Sequence, residues 1–281
     1  MKSFKIILSV LTFWSGLAFG FPLPTAPRPA YTPLPPTMSY DFEGIVALSN
    51  CSGSLIKFEG QADNTPAFVL TNGHCYEGGF PEPGEVIVGR ASSRRFSLLN
   101  PNSSDAGRVQ ATMVVYSTMT KTDITLYRLR ETYTEIFQRF NIRPLTLSSQ
   151  HPMDQQPLEI ISGYWRRGYS CQINGFVHQL KEGGWLNEDS IRYSQPGCEV
   201  IGGTSGSPIL AAGTRTVIGI NNTGNEDGMR CTQNNPCEID EKGNITVEQG
   251  QNYGQQTYWI YTCLTPNFDL DLNKPGCELA K

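Results

Sequence analysis

Residues Cys198–Leu210 read CEVIGGTSGSPIL, a run in which Ser205 stands between Thr204 and Gly206, with Gly202-Gly203 before it and Ser207-Pro208 after it. Glycine and serine at this density also make ordinary turns. Ser205 becomes a nucleophile only if the chain also supplies a base for its proton, an acid to orient that base, and donors for the oxyanion that develops on an attacked carbonyl. Glycines ahead of the serine fit the last need, because they allow positive φ and turn successive N–H groups toward one point.

Outward from this stretch, two others supply the missing groups. The chain has only three histidines, His74, His151 and His178, and the first lies in Thr71-Asn72-Gly73-His74-Cys75, directly after the apolar run AFVL. That places His74 at a strand end beside a cysteine able to pin it. Asp123 opens the apolar run of Thr122-Asp123-Ile124-Thr125-Leu126, where it can lie buried beside a partner. His74 as base, Asp123 as its orienting acid, Ser205 as nucleophile, and the N–H groups of Gly203 and Ser205 as oxyanion donors make a complete set for acyl transfer.

Around these motifs the chain reads as short apolar runs separated by Gly, Pro, Asn and Ser: GIVAL, CSGSLIKF, PAFVLT, EVIVG, ATMVVYS, DITLYRL, LEIISGY, RTVIGI and TYWIYT. Their lengths and their β-branched and aromatic content predict an all-β protein. The best helical window is Glu131–Phe140, ETYTEIFQRF. Residues 1–20 carry lysines at 2 and 5, an apolar run and a final Ala18-Phe19-Gly20, the order of a secretory signal peptide. Its apolar part is short for a membrane span, which needs roughly 20 residues, and no later segment is long and apolar enough to cross. Residues 21–39 begin with FPLPTAPRPAYTPLPPT and read as an extended spacer or propeptide.

The formal charge of −4 comes from 22 basic and 26 acidic residues without a basic cluster, which argues against nucleic acid as a partner. Eight cysteines, Cys51, Cys75, Cys171, Cys198, Cys231, Cys237, Cys263 and Cys277, in an exported chain predict disulfides. No grouping has zinc-ligand spacing and no calcium loop is recognisable, so neither metal nor cofactor is expected.

The motifs taken together resemble the chymotrypsin-like (trypsin-like) serine peptidases. CSGSLIKF…AFVLTNGHC is similar to that family's CGGSLI…VLTAAHC, DITLYRL to its DIALLKL, and GGTSGSPI to its GDSGGP; FNIRPLTLSS is similar to its inter-barrel link and VIGINNTG to its groove strand. The resemblance runs from about Tyr40 to Thr262. It implies two antiparallel six-stranded β-barrels, 40–135 with His74 and Asp123 and 136–262 with Ser205, packed with the active site in the cleft between them; beyond it, Cys263 and Cys277 predict a disulfide-stapled tail, 263–281. It also implies peptide-bond hydrolysis through an acyl-enzyme, with protein or peptide substrates, and residues 1–20 make the enzyme a secreted (extracellular or periplasmic) one. Residue by residue, it carries over the triad His74, Asp123 and Ser205, the oxyanion donors Gly203 and Ser205, and backbone binding by Asn222, Thr223 and Gly224. Glu199 falls at the base of the primary specificity pocket.

The resemblance pairs Cys51 with Cys75 around the loop that carries the base. Cys171 with Cys198, Cys231 with Cys237 and Cys263 with Cys277 are the expected remaining bridges, other pairings staying open. Two departures matter. Thr204 stands where the animal digestive enzymes have an aspartate for a freed amino terminus, and the chain has no IVGG-like start, running YDFEGIVALSN instead. Thr before Ser and Gly-Ser-Pro after it look more like the bacterial trypsin-like and glutamyl-endopeptidase branch, although Asn221 occupies the place of that branch's glutamate-reading histidine. The alternative function is a catalytically silent binding protein on the same fold; retention of His, Asp and Ser favours the enzyme.

Overall fold

The short apolar runs become strands that roll into two closed barrels in the computed structural model, which describes residues 39–281. The expected signal peptide and all but the last residue of the Pro-rich stretch lie outside the described residues. The first barrel is built from β1 (Ile45–Ala47), β2 (Ser52–Phe58), β3 (Pro66–Thr71), β4 (Val86–Ala91), β5 (Arg95–Leu99), β6 (Asp105–Thr118) and β7 (Ile124–Thr132). Six of these close a ring of antiparallel pairs in the order β1-β5-β6-β7-β3-β2 and back to β1, while β4 adds to β6 outside it.

After β7 comes α1 (Tyr133–Phe140), within the window that its pattern predicts. Thr132 and Glu135 form a reciprocal capping box at its start, and Asn141 in the left-handed region ends it. The link continues through β8 (Leu145–Leu147), which runs parallel to β2 of the first barrel and to a strand of the second. The second barrel comprises β9 (Pro157–Ser162), β10 (Arg167–Glu182), β11 (Trp185–Tyr193), β12 (Pro208–Ala211), β13 (Thr216–Gly224) and, after the small outlying β14 (Cys237–Ile239) and β15 (Ile245–Thr246), β16 (Asn252–Gln255). Its ring is β13-β12-β9-β10-β11-β16 and back to β13, again with antiparallel pairing throughout.

Alternation along the strands divides the apolar residues into an interior for each barrel and a layer between them. Leu55 of β2 joins Val46, Val69, Phe96 and Tyr127 inside the first barrel. Its neighbours Ile56 and Phe58 face the other way and meet Leu145, Ile161, Leu210 and Val217 in the layer shared by the two barrels. Ile160, Ile173, Ile191, Tyr193 and Ile209 fill the second barrel. A strand buried on both faces carries adjacent apolar residues, as β2 does at Leu55-Ile56.

One expected strand is something else. Within TYWIYT, Trp259–Thr262 is a short helix, α2, with Ile260 N–H donating to the Thr257 carbonyl and Cys263 N–H to that of Ile260. Its aromatic and β-branched content reflects burial of Trp259 and Ile260 rather than an extended backbone. No barrel edge is open to it either, since β16 is already paired on both sides, with β11 and β13. The four disulfides are Cys51–Cys75, Cys171–Cys198, Cys231–Cys237 and Cys263–Cys277, the expected pairings, and the last closes the tail that follows α2.

The first described residues are fastened down. The Tyr40 ring packs on Gly168 and its hydroxyl meets Ser170 Oγ on β10. Glu43, buried, accepts from the Arg143 backbone N–H and guanidinium and pairs with Arg215. Burial alone would raise the Glu43 carboxyl, but Arg143 and Arg215 outweigh it and hold the group below the usual carboxylate range. A carboxyl lowered on folding stabilises the native state above its unfolded value, and that stability is lost as pH falls through the folded value. Glu43→Gln is therefore expected to cost about 1–3 kcal/mol near neutrality, with the gap to the wild type closing as pH falls below the carboxylate range. Urea denaturation across that range checks this; a gap independent of pH contradicts it.

Candidate active site

The segment after β3 cannot continue as a strand, because the chain turns through a single 3-10 turn at Gly73–Cys75. A Cβ on Gly73 would lie 2.0 Å from the Thr118 carbonyl oxygen and 2.9 Å from Asp123 Oδ1, so only glycine lets this turn approach the end of β6 and the start of β7. Next to it, Cys75 is bridged to Cys51, which precedes β2. His74 is thereby held at the rim of the first barrel between two fixed neighbours.

Asp123, 2% exposed, grips it twice. Oδ1 accepts from the His74 backbone N–H at 3.0 Å, and Oδ2 lies 2.7 Å from Nδ1 of the ring. The Asn72 amide in turn donates to the Asp123 carbonyl at 2.8 Å. A carboxylate on Nδ1 makes that nitrogen the protonated one and leaves Nε2 as the acceptor. Burial would push the imidazole down, but the charge and hydrogen bond of Asp123 prevail, with a smaller contribution from Glu182, and His74 is raised above its ordinary value of 6.5. The sulfurs of Cys51 and Cys75 lie close to this ring, but both are in a disulfide and offer no thiolate to a metal.

Ser205 comes to the same cavity from the second barrel, on the loop leading into β12. Its Oγ donates to the Asn222 carbonyl at 3.4 Å, so the hydroxyl must turn to reach Nε2. Such contacts commonly tighten only with substrate bound. The loop is set by Gly206, at φ +80°, where a Cβ would fall 2.2 Å from Thr71 Oγ1 and 2.3 Å from the Ser52 carbonyl oxygen. The Trp165 indole N–H donates to the Gly202 carbonyl at 2.7 Å. In a trans peptide the carbonyl and the following N–H point opposite ways, so this bond turns the Gly203 N–H away from Trp165. Among the described residues, neither the Gly203 nor the Ser205 N–H donates to another atom of the chain. Thr204 is fully buried and uncharged, leaving no carboxylate at this position for a freed amino terminus.

Ser52, at the start of β2 and fully buried, joins the two halves. Its backbone N–H donates to the Ser205 carbonyl at 2.8 Å, and its hydroxyl donates to the Gly203 carbonyl at 3.1 Å. The same hydroxyl accepts from the Tyr164 N–H and from Ser162 Oγ.

A trypsin-like peptidase domain matches residues 51–220, more than half of the chain, a span that includes Ser52, His74, Asp123 and Ser205. The chain belongs to the trypsin-like peptidase family. Among curated proteins, none matches the sequence. Similar solved structures of this trypsin-like fold include the MamO protease domain from Magnetospirillum magneticum, 13% identical over 80% of this chain and 98% of that one, with a TM-score of 0.48. Another is Nocardiopsis protease, 15% identical over 77% of this chain and 92% of that one, TM-score 0.43. A glutamic acid-specific serine protease that binds substrate with a histidine triad is 15% identical over 76% of this chain and 91% of that one, TM-score 0.41.

Of the residues singled out in the sequence, the trypsin-like fold brings His74, Asp123, Ser205, Asn222, Thr223 and Gly224 around one cavity. It does not bring Glu199 there. The Cys198 side chain turns inward to its disulfide, and Glu199, next along, is exposed and outside the cavity wall. That wall has Val200, Ile201, Asn221 and Asn252 instead. It also has Phe80, Glu182 and Trp185, none of which stands in a motif; a long β10–β11 hairpin carries the last two.

Ser52→Ala is expected to strand the Gly203 carbonyl and the Tyr164 N–H, lowering stability by about 1–3 kcal/mol. Thermal denaturation measures this, and an unchanged midpoint would deny Ser52 its joining role.

Proposed function

We propose that this chain is a secreted serine endopeptidase that hydrolyses peptide bonds through an acyl-enzyme. The observation that carries the reading is the double grip of Asp123 on His74, which leaves Nε2 as an acceptor in the cavity that Ser205 enters. His74 Nε2 takes the Ser205 proton as Oγ bonds to the scissile carbonyl carbon, and the N–H groups of Gly203 and Ser205 receive the oxyanion. The same proton then passes from His74 to the departing amine as the C–N bond breaks. Water, deprotonated by His74, attacks the acyl-enzyme and releases the acid, and Ser205 regains its proton. Asp123 orients the ring and stabilises its cationic form without being protonated itself.

Asn222, Thr223 and Gly224 on β13 support a substrate strand in this reading. The signal-like residues 1–20 support export, as do four disulfides without a free cysteine among the described residues. Among the described residues no helix is long and apolar enough to cross a membrane.

Labelling of the disulfide-bonded protein with a fluorophosphonate probe, with Ser205→Ala as control, tests the proposal. Ser205-dependent labelling is expected, and its absence favours a silent binding protein. The imidazole must be neutral to accept a proton, and His74 is raised above its ordinary value. The acid limb of kcat/KM for a peptide substrate is thus expected to have its midpoint above about pH 6.5. A flat profile, or a midpoint well below that, contradicts the role of His74.

A further inference from the structure

The cavity beside His74 has a wall that peptide hydrolysis does not explain. The Phe80 ring stands edge-on to the His74 ring with centroids 5.7 Å apart, and the Trp185 ring meets Phe80 at 6.0 Å. The Trp185 indole N–H is tied to the Pro81 carbonyl, so the hairpin tip and the loop after His74 move together. Phe80 is 46% exposed, an aromatic face left toward the opening.

Glu182, half-buried at the end of β10, completes this wall. One of its oxygens accepts from the Asn234 N–H at 2.8 Å, and Thr223 of the groove strand lines the same cavity. Burial raises its carboxyl above the ordinary value, and the polar groups of Asn234 and Thr223 and the His74 ring only partly offset this. Among the described residues no Lys or Arg comes within ion-pair distance of it and none lines the cavity, which also holds Asp123 and Glu226. The Asn222 side-chain nitrogen, in a residue 4% exposed on the same wall, has no partner among the described residues. An amide donor left unpaired at that depth is suited to a carbonyl that arrives with a ligand.

A carboxylate short of a cation, flanked by two aromatic faces, is the chemistry that receives an ammonium or guanidinium group. Val200, Ile201 and Gly202 line one part of the cavity, and Phe80, Glu182 and Trp185 line it with His74, while Ser205, Asn222 and Thr223 also border it. With the scissile residue's side chain set toward Val200–Gly202, the preceding residue is left to the His74 side. We infer that Glu182, with Phe80 and Trp185, selects Lys or Arg at the position preceding the scissile residue. The inference rests on the endopeptidase reading above and adds a substrate class to it.

The test compares kcat/KM for two fluorogenic peptides that differ only at that position, Lys against the neutral isostere norleucine, in the wild type and in Glu182→Gln. The wild-type ratio is expected to favour Lys by about ten-fold, the scale of one partly desolvated charge pair with an aromatic face, and to fall to about one in the variant. Glu182→Lys is expected to reverse the preference, favouring a Glu peptide over its Gln counterpart. If Glu182 merely supported the hairpin or the His74 charge, both peptides would slow alike and the ratio would stay fixed. A fixed ratio, or no wild-type preference for Lys, overturns the inference. Fluorophosphonate labelling of Ser205 in the same samples separates the two levels. Labelled but unselective protein overturns this inference alone, and unlabelled wild-type protein overturns the endopeptidase reading and this inference with it.

Discussion

The Ser52 hydroxyl, donating to the Gly203 carbonyl while the Ser52 N–H donates to the carbonyl of Ser205, is the constraint on which the site depends. Its neighbour Cys51 is bonded to Cys75, next to His74. Two adjacent residues at the start of one strand thus hold the loop of the base on one side and the loop of the nucleophile on the other. The barrels are separately cored, so a site assembled between them inherits any slack in their docking. Placing the two anchors side by side where the chain enters β2, whose side chains face both the first barrel's interior and the layer between the barrels, removes much of that slack. Small errors matter here, since an ångström of misplacement at a reacting group lowers rates steeply.

Electrostatics then gives the site its direction. Asp123 stabilises a proton on His74 at the cost of burying a carboxylate, and the backbone N–H of His74 shares that burden. Around the imidazole the cavity is acidic, while on the loop of Ser205 the N–H groups of Gly203 and Ser205 have no acceptor among the described residues. Positive charge is favoured on the His74 side and negative charge on the Gly203 side. That is the polarity of a proton arriving on imidazole while an oxyanion forms a few ångströms away.

The motifs around His74, Asp123 and Ser205 were legible because each is a short run in which a turn, a strand and a reactive group adjoin. The all-β class was legible from run length and composition. What sequence reading missed has no local signature. Trp165 acts through its indole on a carbonyl nearly forty residues away in the chain. Glu182 comes to the cavity that His74 lines only through the length of the β10–β11 hairpin, which spacing does not encode. Glu199 illustrates the converse: counting back from Ser205 puts it at the pocket base, but the disulfide at Cys198 turns the chain so that the next side chain faces solvent. TYWIYT failed for another reason, since aromatic and β-branched residues report burial as readily as strand.

The tip of the β10–β11 hairpin and the loop closed by Cys231–Cys237 lean on each other. Gly183 N–H donates to the Cys231 carbonyl and Asn234 N–H to Glu182. Neither tip belongs to a barrel core. On the endopeptidase reading, the part of the groove that would meet the residue before the scissile one is mechanically separate from the part that would cut. Over evolutionary time, two small loops can be lengthened, recharged or exchanged while the barrels, His74, Asp123 and Ser205 stay as they are, so a lineage carrying this architecture can change what its groove accepts without rebuilding its core.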